Sequence, residues 1–264
     1  DETDWQENEL GYRRAEGYHL FPKKRIDMEM LPANESVNSF EEVVKGYSEE
    51  QAKKEADRCV ECGICVATCP AHMDVPDYIH SIRDGDYEKG LRLMYRTNPF
   101  PATCGRICTR RCETVCPVGI DGEPVAIRWL KRFIVDQFEA KDYQHILDET
   151  ITENGKTIAV IGAGPGGMSA AYYLRKKGYA VTVFESQQTA GGMLRYGVPS
   201  YRLPDDDLDK DIDYIVSLGV EVKYNTAIGK DIKFEQLLEN YDAVFMSTGL
   251  SVPSSMRIHG EDHP

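Results

Sequence analysis

The chain has 264 residues, 41% of them hydrophobic, and a net charge of −13, with a negative mean hydropathy. That length holds one large or two modest domains. The acidic balance argues against a nucleic-acid partner, whose phosphates attract basic surfaces, and no apolar run approaches the ~20 residues of a membrane span. The N-terminal Asp1-Glu2-Thr3-Asp4-Trp5 lacks the basic and apolar regions of a signal peptide, so we expect a cytoplasmic protein with no direct membrane insertion.

Residues 1–38 are polar and read as an irregular extension that drapes over a neighbouring domain or subunit. Phe40 to Tyr47 reads as a short helix interrupted at Gly46. Ser48-Glu49-Glu50-Gln51 fits a capping box, with Ser48 at the N-cap and Gln51 reaching back from N3. The helix it starts delivers the chain to a cysteine-rich segment, which opens a predicted helical domain over 39–138.

That segment holds all eight cysteines in two runs. The first is Cys59-x-x-Cys62-x-x-Cys65-x-x-x-Cys69-Pro70, and the second is Cys104-x-x-x-Cys108-x-x-x-Cys112-x-x-x-Cys116-Pro117. The first run has the bacterial-ferredoxin spacing for iron–sulfur ligation, with Pro after the fourth Cys. Eight thiolates give two [4Fe-4S] clusters four ligands each. Disulfide frameworks belong to short secreted chains. Zinc is the stronger rival, although its knuckles are usually paired across a longer loop. Charge is distributed to match: residues 1–58 carry 9 basic and 15 acidic groups, 139–264 carry 12 and 19, and 59–138 carry 10 of each. Arg106, Arg110, Arg111, Arg128, Lys131 and Arg132 are candidates to offset two anionic clusters, against the plainer reading of ordinary solvated charges.

Between and after the runs, Asp74-Val75-Pro76-Asp77 reads as a helix start, with Asp74 capping and Pro76 in the first turn. Helices are predicted over roughly 75–83 and 86–96, with Val75, Tyr78, Ile79 and Ile82 at helical spacing. Asn98-Pro99-Phe100-Pro101 turns the chain into the second run. Pro124 is expected to open a helix to about Phe138, and 139–155 reads as a polar, turn-prone linker.

From Lys156 strands and helices alternate. Strands are expected over 157–161, 179–184, 220–224 and 243–247, with helices over 168–177 and 208–218, a doubly wound α/β pattern with parallel strands. The acid run Asp205-Asp206-Asp207 reads as a solvated helix start. Gly162, Gly164 and Gly167 make G-x-G-x-x-G between a strand and a helix. The first glycine serves the tight turn, the second lets backbone approach a pyrophosphate, and the third packs helix on strand. A pyrophosphate would sit on the helix N-terminus. Glu185 ends the second strand, where an acid accepts from ribose hydroxyls.

The fingerprint alone does not separate FAD from NAD. Gly191-Gly192-Met193-Leu194-Arg195, Tyr201-Arg202-Leu203-Pro204 and Ala243-Val244-Phe245-Met246-Ser247-Thr248-Gly249 are hallmarks of flavoenzymes with two dinucleotide domains. Together with the cysteine runs, they make residues 40–264 resemble the small (beta) subunit of NADPH-dependent glutamate synthase. They also resemble the N-terminal half of dihydropyrimidine dehydrogenase and the large subunit of transhydrogenases that bifurcate electrons between NADPH and ferredoxin.

The resemblance implies an all-helical domain with two [4Fe-4S] clusters, followed over 156–264 by the first part of a Rossmann-like FAD domain. NAD(P)H is then expected at a downstream domain. Hydride would pass from nicotinamide to FAD, and single electrons through the clusters to another redox subunit, with no general acid or base. By carry-over, Cys59, Cys62 and Cys65 with Cys116 hold one cluster, while Cys69, Cys108 and Cys112 contribute to one nearer the flavin. Gly162, Ala163, Gly164, Pro165, Gly166, Gly167, Glu185, Ser186, Gly191, Gly192, Met193, Leu194, Thr248 and Gly249 are the candidate FAD-binding residues. Ile107, Arg202 and Ile228 match further family positions that touch FAD.

Two departures stand out. Several relatives use Gln or Glu as the fourth ligand of the second cluster, at a position that aligns with Lys131, a cation that cannot ligate iron. Cys104 is then the expected fourth ligand. Secondly, Ile258-His259-Gly260-Glu261-Asp262 resembles a segment that precedes the inserted nicotinamide domain, and no second glycine fingerprint follows. The expectation is a fragment of a protein nearer twice this length. Two other readings are a non-catalytic FAD and iron–sulfur wiring subunit that never meets nicotinamide, and a zinc-stabilised docking module.

Overall fold

The structure is a computed structural model. It describes residues 5–7, 13–15, 22–147, 150–250, 254–261 and 263, those of 5–7 and 13–15 as backbone only. The reading of 1–38 as irregular is corrected in part. β1 (Trp5–Glu7) and β2 (Arg13–Ala15) pair antiparallel, and β3 (Glu29–Met30) and α1 (Ala33–Ser36) follow.

The helix expected over 40–47 is a strand instead. β4 (Val44–Gly46) pairs antiparallel with β3, because the β-branched Val43-Val44 pair suits an extended ladder and Gly46 takes a left-handed φ of 94°. This N-terminal strap lies on its own chain. The Ile26 N–H donates to Glu55 Oε2 at 2.8 Å, the Arg25 N–H to Glu123 Oε2 at 2.9 Å, and Val43 N–H to Tyr201 O at 3.4 Å.

The helical layer is α2 (Glu49–Ala56), α3 (Ile64–Thr68), α4 (Val75–Asp84), α5 (Tyr87–Tyr95), α6 (Pro101–Ile107), α7 (Arg111–Thr114), α8 (Ile127–Val135) and α9 (Ala140–Leu147). The Ser48 capping box forms on both sides, with Gln51 N to Ser48 Oγ at 3.2 Å and Ser48 N to Gln51 Oε1 at 2.9 Å. Asp74 stands at the N-cap of α4, but its side chain makes no capping bond. The helix expected from Pro124 begins only at Ile127, since Glu123 O and Pro124 O are taken by Arg58.

The stretch read as a linker contains α9. Its Tyr143 and Ile146 are buried, and the Tyr143 ring stands edge-on to Tyr95 at 5.5 Å. That stability comes from tertiary packing rather than from local propensity.

The second layer is a parallel sheet of β5 (Thr157–Ile161), β6 (Ala180–Phe184), β7 (Glu221–Lys223) and β8 (Ala243–Met246), in the order β7-β6-β5-β8. α10 (Pro165–Lys176), α11 (Met193–Tyr196), α12 (Asp205–Ser217) and α13 (Phe234–Asn240) connect them. Central β5 and β6 are rich in β-branched and apolar residues and largely buried, as parallel strands covered by helices are, with Thr182 of β6 bonded to Glu221 at 3.0 Å.

One apolar core runs from the helical layer into the Rossmann-like layer. The rings of Tyr95 and Tyr214 stand 4.9 Å apart, and Tyr172 Oη donates to Tyr95 O at 2.8 Å. Asp207, read as solvated, is buried instead, and its carboxylate meets the buried Arg106 guanidinium of α6 at 2.8 Å. Asp211, fully buried on α12, accepts from Thr103 N at 2.9 Å, Ala102 N at 3.2 Å and Tyr95 Oη at 3.0 Å. A carboxylate of one layer thus caps the first turn of α6 in the other, where free N–H groups and the helix dipole favour negative charge.

Candidate functional site: two cysteine sets and a glycine loop

Each cysteine run is bent by one non-glycine residue in the left-handed region. Glu61 has φ 54° and Arg110 has φ 60°, each two residues after a cysteine. The conformation is costly for such side chains, and here it turns a backbone N–H onto sulfur. The Arg110 N–H reaches Cys108 Sγ at 3.4 Å, and the Glu61 N–H does the same for Cys59. Glu61 is held by Arg83 at 2.7 Å and His80 at 2.8 Å.

The runs do not make one site each. Cys59, Cys62 and Cys65 line a pocket together with Cys116, the last cysteine of the second run. The rest of its wall is apolar apart from Glu61: Val60, Val75, Pro76, Ile79, Pro117, Val125 and Ile127. Cys62 is exposed and Cys65 buried. Burial pushes the Cys65 thiol up to about 12, helped by Cys59, Cys112 and Cys62.

Cys69, the last of the first run, interacts electrostatically instead with Cys104 and Cys112 of the second run, and Lys131 with Cys104, Cys108, Cys69 and Cys112. Cys104 donates to Cys108, which raises Cys104 and lowers Cys108. Burial pushes Cys112 up to about 11, against the pull of Lys131. Ligation requires thiolates, so backbone N–H groups and cations at these sulfurs favour the ligating form.

Among the described residues no three His, Cys, Asp or Glu side chains group around a single metal-ion position. Each set fits a polynuclear group: four sulfurs, one shared pocket wall or cation, and N–H donors aimed at sulfur.

Of the six cations singled out in sequence, Lys131 stands among thiols. Arg128 donates to the Cys108 carbonyl at 3.2 Å, and burial, with Arg110 and Arg202 nearby, lowers its pKa. Arg106 and Arg132 are spent on carboxylates: Arg106 meets Glu42 at 3.1 Å and Asp136 at 2.9 Å, and Arg132 meets Glu42 at 2.8 Å. Tyr78 was legible only as a core position. Its ring is fully buried and its hydroxyl has no hydrogen-bond partner among the described residues; burial, and behind it Cys112, Cys65, Cys69 and Cys104, raise its pKa.

The glycine loop joins β5 to α10. A Cβ at Gly162 (φ 99°) would stand 2.3 Å from Ser247 O, and one at Gly167 only 1.9 Å from Gly162 O. Gly192 presses on the same loop, since a Cβ there would fall 2.9 Å from Gly164 Cα. Gly191 N–H closes onto Ala163 O at 2.9 Å. Gly164 is the extended cap of α10, with Pro165 and Gly166 in its first turn. Glu185 is buried, accepting from Ala163 N at 2.7 Å, Gln187 N at 2.8 Å and Ser186 Oγ at 3.1 Å. It therefore fastens the loop to the end of β6.

Gly191 to Leu194 thus border the loop, with Met193 exposed. Ser247 N–H pairs with Ile161 O at 2.8 Å, which leads exposed Thr248 and Gly249 past the loop. Arg202 is exposed, Ile107 ends α6 partly buried, and Ile228 packs against the cluster of Ile161 and Phe184.

Comparison with known proteins agrees with this division. Residues 36–143 match the family model described as dihydropyrimidine dehydrogenase domain II, 4Fe-4S cluster. Residues 160–222 match the NAD(P)-binding Rossmann-like domain. The NADP(+)-dependent formate dehydrogenase subunit beta of Moorella thermoacetica is 42% identical over 219 residues, 75% of this chain and 31% of that protein.

The NADPH-Fe(3+) oxidoreductase subunit beta of Geobacter sulfurreducens is 38% identical over 205 residues, 75% of this chain and 30% of its own. The glutamate synthase [NADPH] small chain of Escherichia coli K12 is 32% identical over 236 residues, 88% of this chain and 50% of its own. The chain therefore spans a third to a half of the length of these curated relatives.

The two matches define a class of chain: a helical 4Fe-4S domain followed by a Rossmann-like dinucleotide domain. Within that class, this chain belongs to the family of glutamate synthase small chains and related NADPH-linked oxidoreductase beta subunits. Among the described residues no helix is long and apolar enough to cross a membrane.

Proposed function

We propose that this chain holds FAD and two [4Fe-4S] clusters and passes electrons between NAD(P)H and a partner redox subunit. The observation that carries the reading is the exchange of fourth members between the runs. It yields two four-sulfur sets on the layer that the glycine loop's own layer caps through Asp211 and Arg106.

In this reading Cys59, Cys62, Cys65 and Cys116 ligate one cluster, and Cys69, Cys104, Cys108 and Cys112 the other. The first turn of α10 and Gly164 receive the FAD pyrophosphate, with Glu185 and Ser186 on the ribose side. Gly191, Gly192, Met193, Leu194, Thr248 and Gly249 border the same cofactor, and Ile107, Arg202 and Ile228 complete its contacts. Bound FAD supplies the conversion between hydride, which carries two electrons, and the single electrons that clusters accept.

The protein's part is to hold and orient these groups. We place the protein in a cytoplasmic setting where thiols stay reduced. Relatives named as subunits of NADPH-linked oxidoreductases support a redox partner.

Anaerobic titration of the full-length protein with NADH and with NADPH tests the reading. Bleaching of flavin and cluster absorbance is expected with at least one of them. A brown, flavin-containing protein that responds to neither would point to the wiring subunit instead.

A further inference from the structure

Arg195 and the acid run Asp205-Asp206-Asp207 stand out in the sequence, and neither is among the contacts proposed for FAD. The structure joins them. Arg195 lies on α11 with its side chain only 13% exposed, and every guanidinium nitrogen has a partner. Nε donates to Ala190 O at 2.7 Å, Nη1 meets Asp205 at 3.1 Å, and Nη2 meets Asp209. Three bonds from one planar group fix both its place and its direction.

The guanidinium ties the Gly191-Gly192 turn to α12. Gly191 has φ 120°, and a Cβ there would lie 2.9 Å from Leu208 Cδ2 and 3.1 Å from Arg195 Cβ. The turn is therefore packed on α12 as well as bonded to it. On its other side the same turn closes on the glycine loop, with Gly192 against Gly164 and the Gly191 N–H on Ala163 O.

α12 has a second acidic face. Asp205 and Asp209 stand one turn apart, as do Asp207 and Asp211, and the two pairs are offset by two residues, roughly 200° around the axis. Asp207 meets Arg106 at 2.8 Å, and Asp211 accepts from Thr103 N at 2.9 Å and Ala102 N at 3.2 Å. All three partners lie on α6, which carries Cys104 and ends at Cys108. Buried Leu208, Ile212 and Ile215 seat the helix in the core between these attachments. One helix thus holds a turn of the glycine-loop site on one face and a cysteine-bearing helix on the other.

Resting on the FAD and two-cluster reading above, we propose that Arg195 is a positioning residue for the Gly191-Gly192 turn, and that α12 is the strut fixing the spacing of that turn from the Cys104 end of α6. The step served moves one electron from reduced flavin to an oxidised cluster, and no atom is transferred between them. Electron passage falls steeply with separation, and a positioned reaction can lose about 100-fold for ~1 Å of misplacement. Without the tie, the turn has to be ordered when FAD binds. The carboxylate partners of Arg195 are partly exposed, which limits each ion pair. Together with the Ala190 bond they set the expected loss of affinity at about tenfold.

The test uses the full-length protein, with iron and FAD counted, as wild type, Arg195→Gln, Asp205→Asn/Asp209→Asn and Asp206→Asn. Asp206 is exposed on the same turn and controls for charge alone. FAD affinity is read by titration. The rate of cluster bleaching is read at saturating FAD, after a light pulse that reduces the flavin. Arg195→Gln and the double variant should each keep about eight irons, bind FAD about tenfold more weakly and bleach at least about tenfold more slowly. Asp206→Asn should match wild type.

Unchanged affinity and rate in Arg195→Gln would overturn the proposal. Weaker FAD binding with an unchanged bleaching rate would overturn the strut, because the spacing would then not depend on the tie. Loss of iron from both cysteine sets would overturn the positioning role, since Arg195 would then serve general stability. If Arg195→Gln fails to fold, the double variant decides, for it leaves the Ala190 bond in place. A wild type that holds no flavin would instead overturn the FAD reading, and this proposal with it.

Discussion

The set of Cys59, Cys62, Cys65 and Cys116 opens to solvent at Cys62, within an apolar wall and beside Glu61. The set of Cys69, Cys104, Cys108 and Cys112 is partly exposed throughout and tied to the Rossmann-like layer through α6. Both offer four sulfurs and one backbone N–H from a left-handed residue. The contrast teaches that ligand type decides what can bind, while surroundings decide how the two sites differ once filled. It also locates the joint of the molecule. α6 carries Cys104 and ends at Cys108, and its first turn and its arginine are held by Asp211 and Asp207 of α12.

The largest effect is expected from breaking that joint. Arg106→Ala strips a buried cation from Glu42, Asp136 and Asp207, and removing one partner of a buried pair costs about 3–5 kcal/mol. Thermal melts followed by cluster absorbance should show the Cys108 set losing its signal first, with the Cys62 set surviving longer. Simultaneous loss of both would mean that the joint holds the whole helical layer equally.

Asp211→Asn should act on the same joint through pH. Burial raises the Asp211 carboxyl to about 7, against the pull of the Thr103 N–H and its other donors. Between the ordinary Asp value of about 4 and about 7, the folded chain binds a proton that the unfolded chain does not. Stability from this group is therefore fully present below pH ~4 and falls as pH rises through 7, by up to ~4 kcal/mol. Asparagine has no such titration. Melting temperatures across that range should show the wild type's advantage over Asp211→Asn shrinking toward neutrality, and a constant gap would contradict the account.

What could be read from residues alone follows the range of the interactions involved. β5 and β6 were legible because parallel strands covered by helices are rich in β-branched and apolar residues. The Ser48 box was legible because its partners lie three residues apart. β4 was misread as helix because its ladder partner, Glu29–Met30, is some fifteen residues away. α9 and the burial of Asp207 went unseen because their partners are distant in sequence: Tyr143 packs on Tyr95 of α5 and Tyr214 of α12, and Asp207 meets Arg106 across the two layers. At the site, spacing marked the cysteines and glycines, and the family resemblance aligned Lys131 with a ligand position. That Lys131 and Tyr78 are buried depends on how α4, α6 and α8 pack.

The smallest effect is expected at Tyr78. A buried hydroxyl without a partner costs about 1–3 kcal/mol, so Tyr78→Phe should raise the melting temperature of the iron-free chain by a few degrees. In the iron-loaded chain the gain should disappear if sulfur of either set accepts from that hydroxyl. Melts of both forms check this, and an equal gain in both would show that the hydroxyl serves neither set.

The exchange of fourth sulfurs is the centre of the account, and iron content with EPR of Cys116→Ser beside Cys69→Ser tests it most directly. The account predicts that Cys116→Ser loses the cluster of the Cys62 set, although Cys116 belongs to the second run, and keeps the signal that Cys108→Ser removes. Cys69→Ser should do the reverse. If Cys116→Ser instead removed the same signal as Cys108→Ser and spared the other, each run would hold its own cluster, and the account would be wrong.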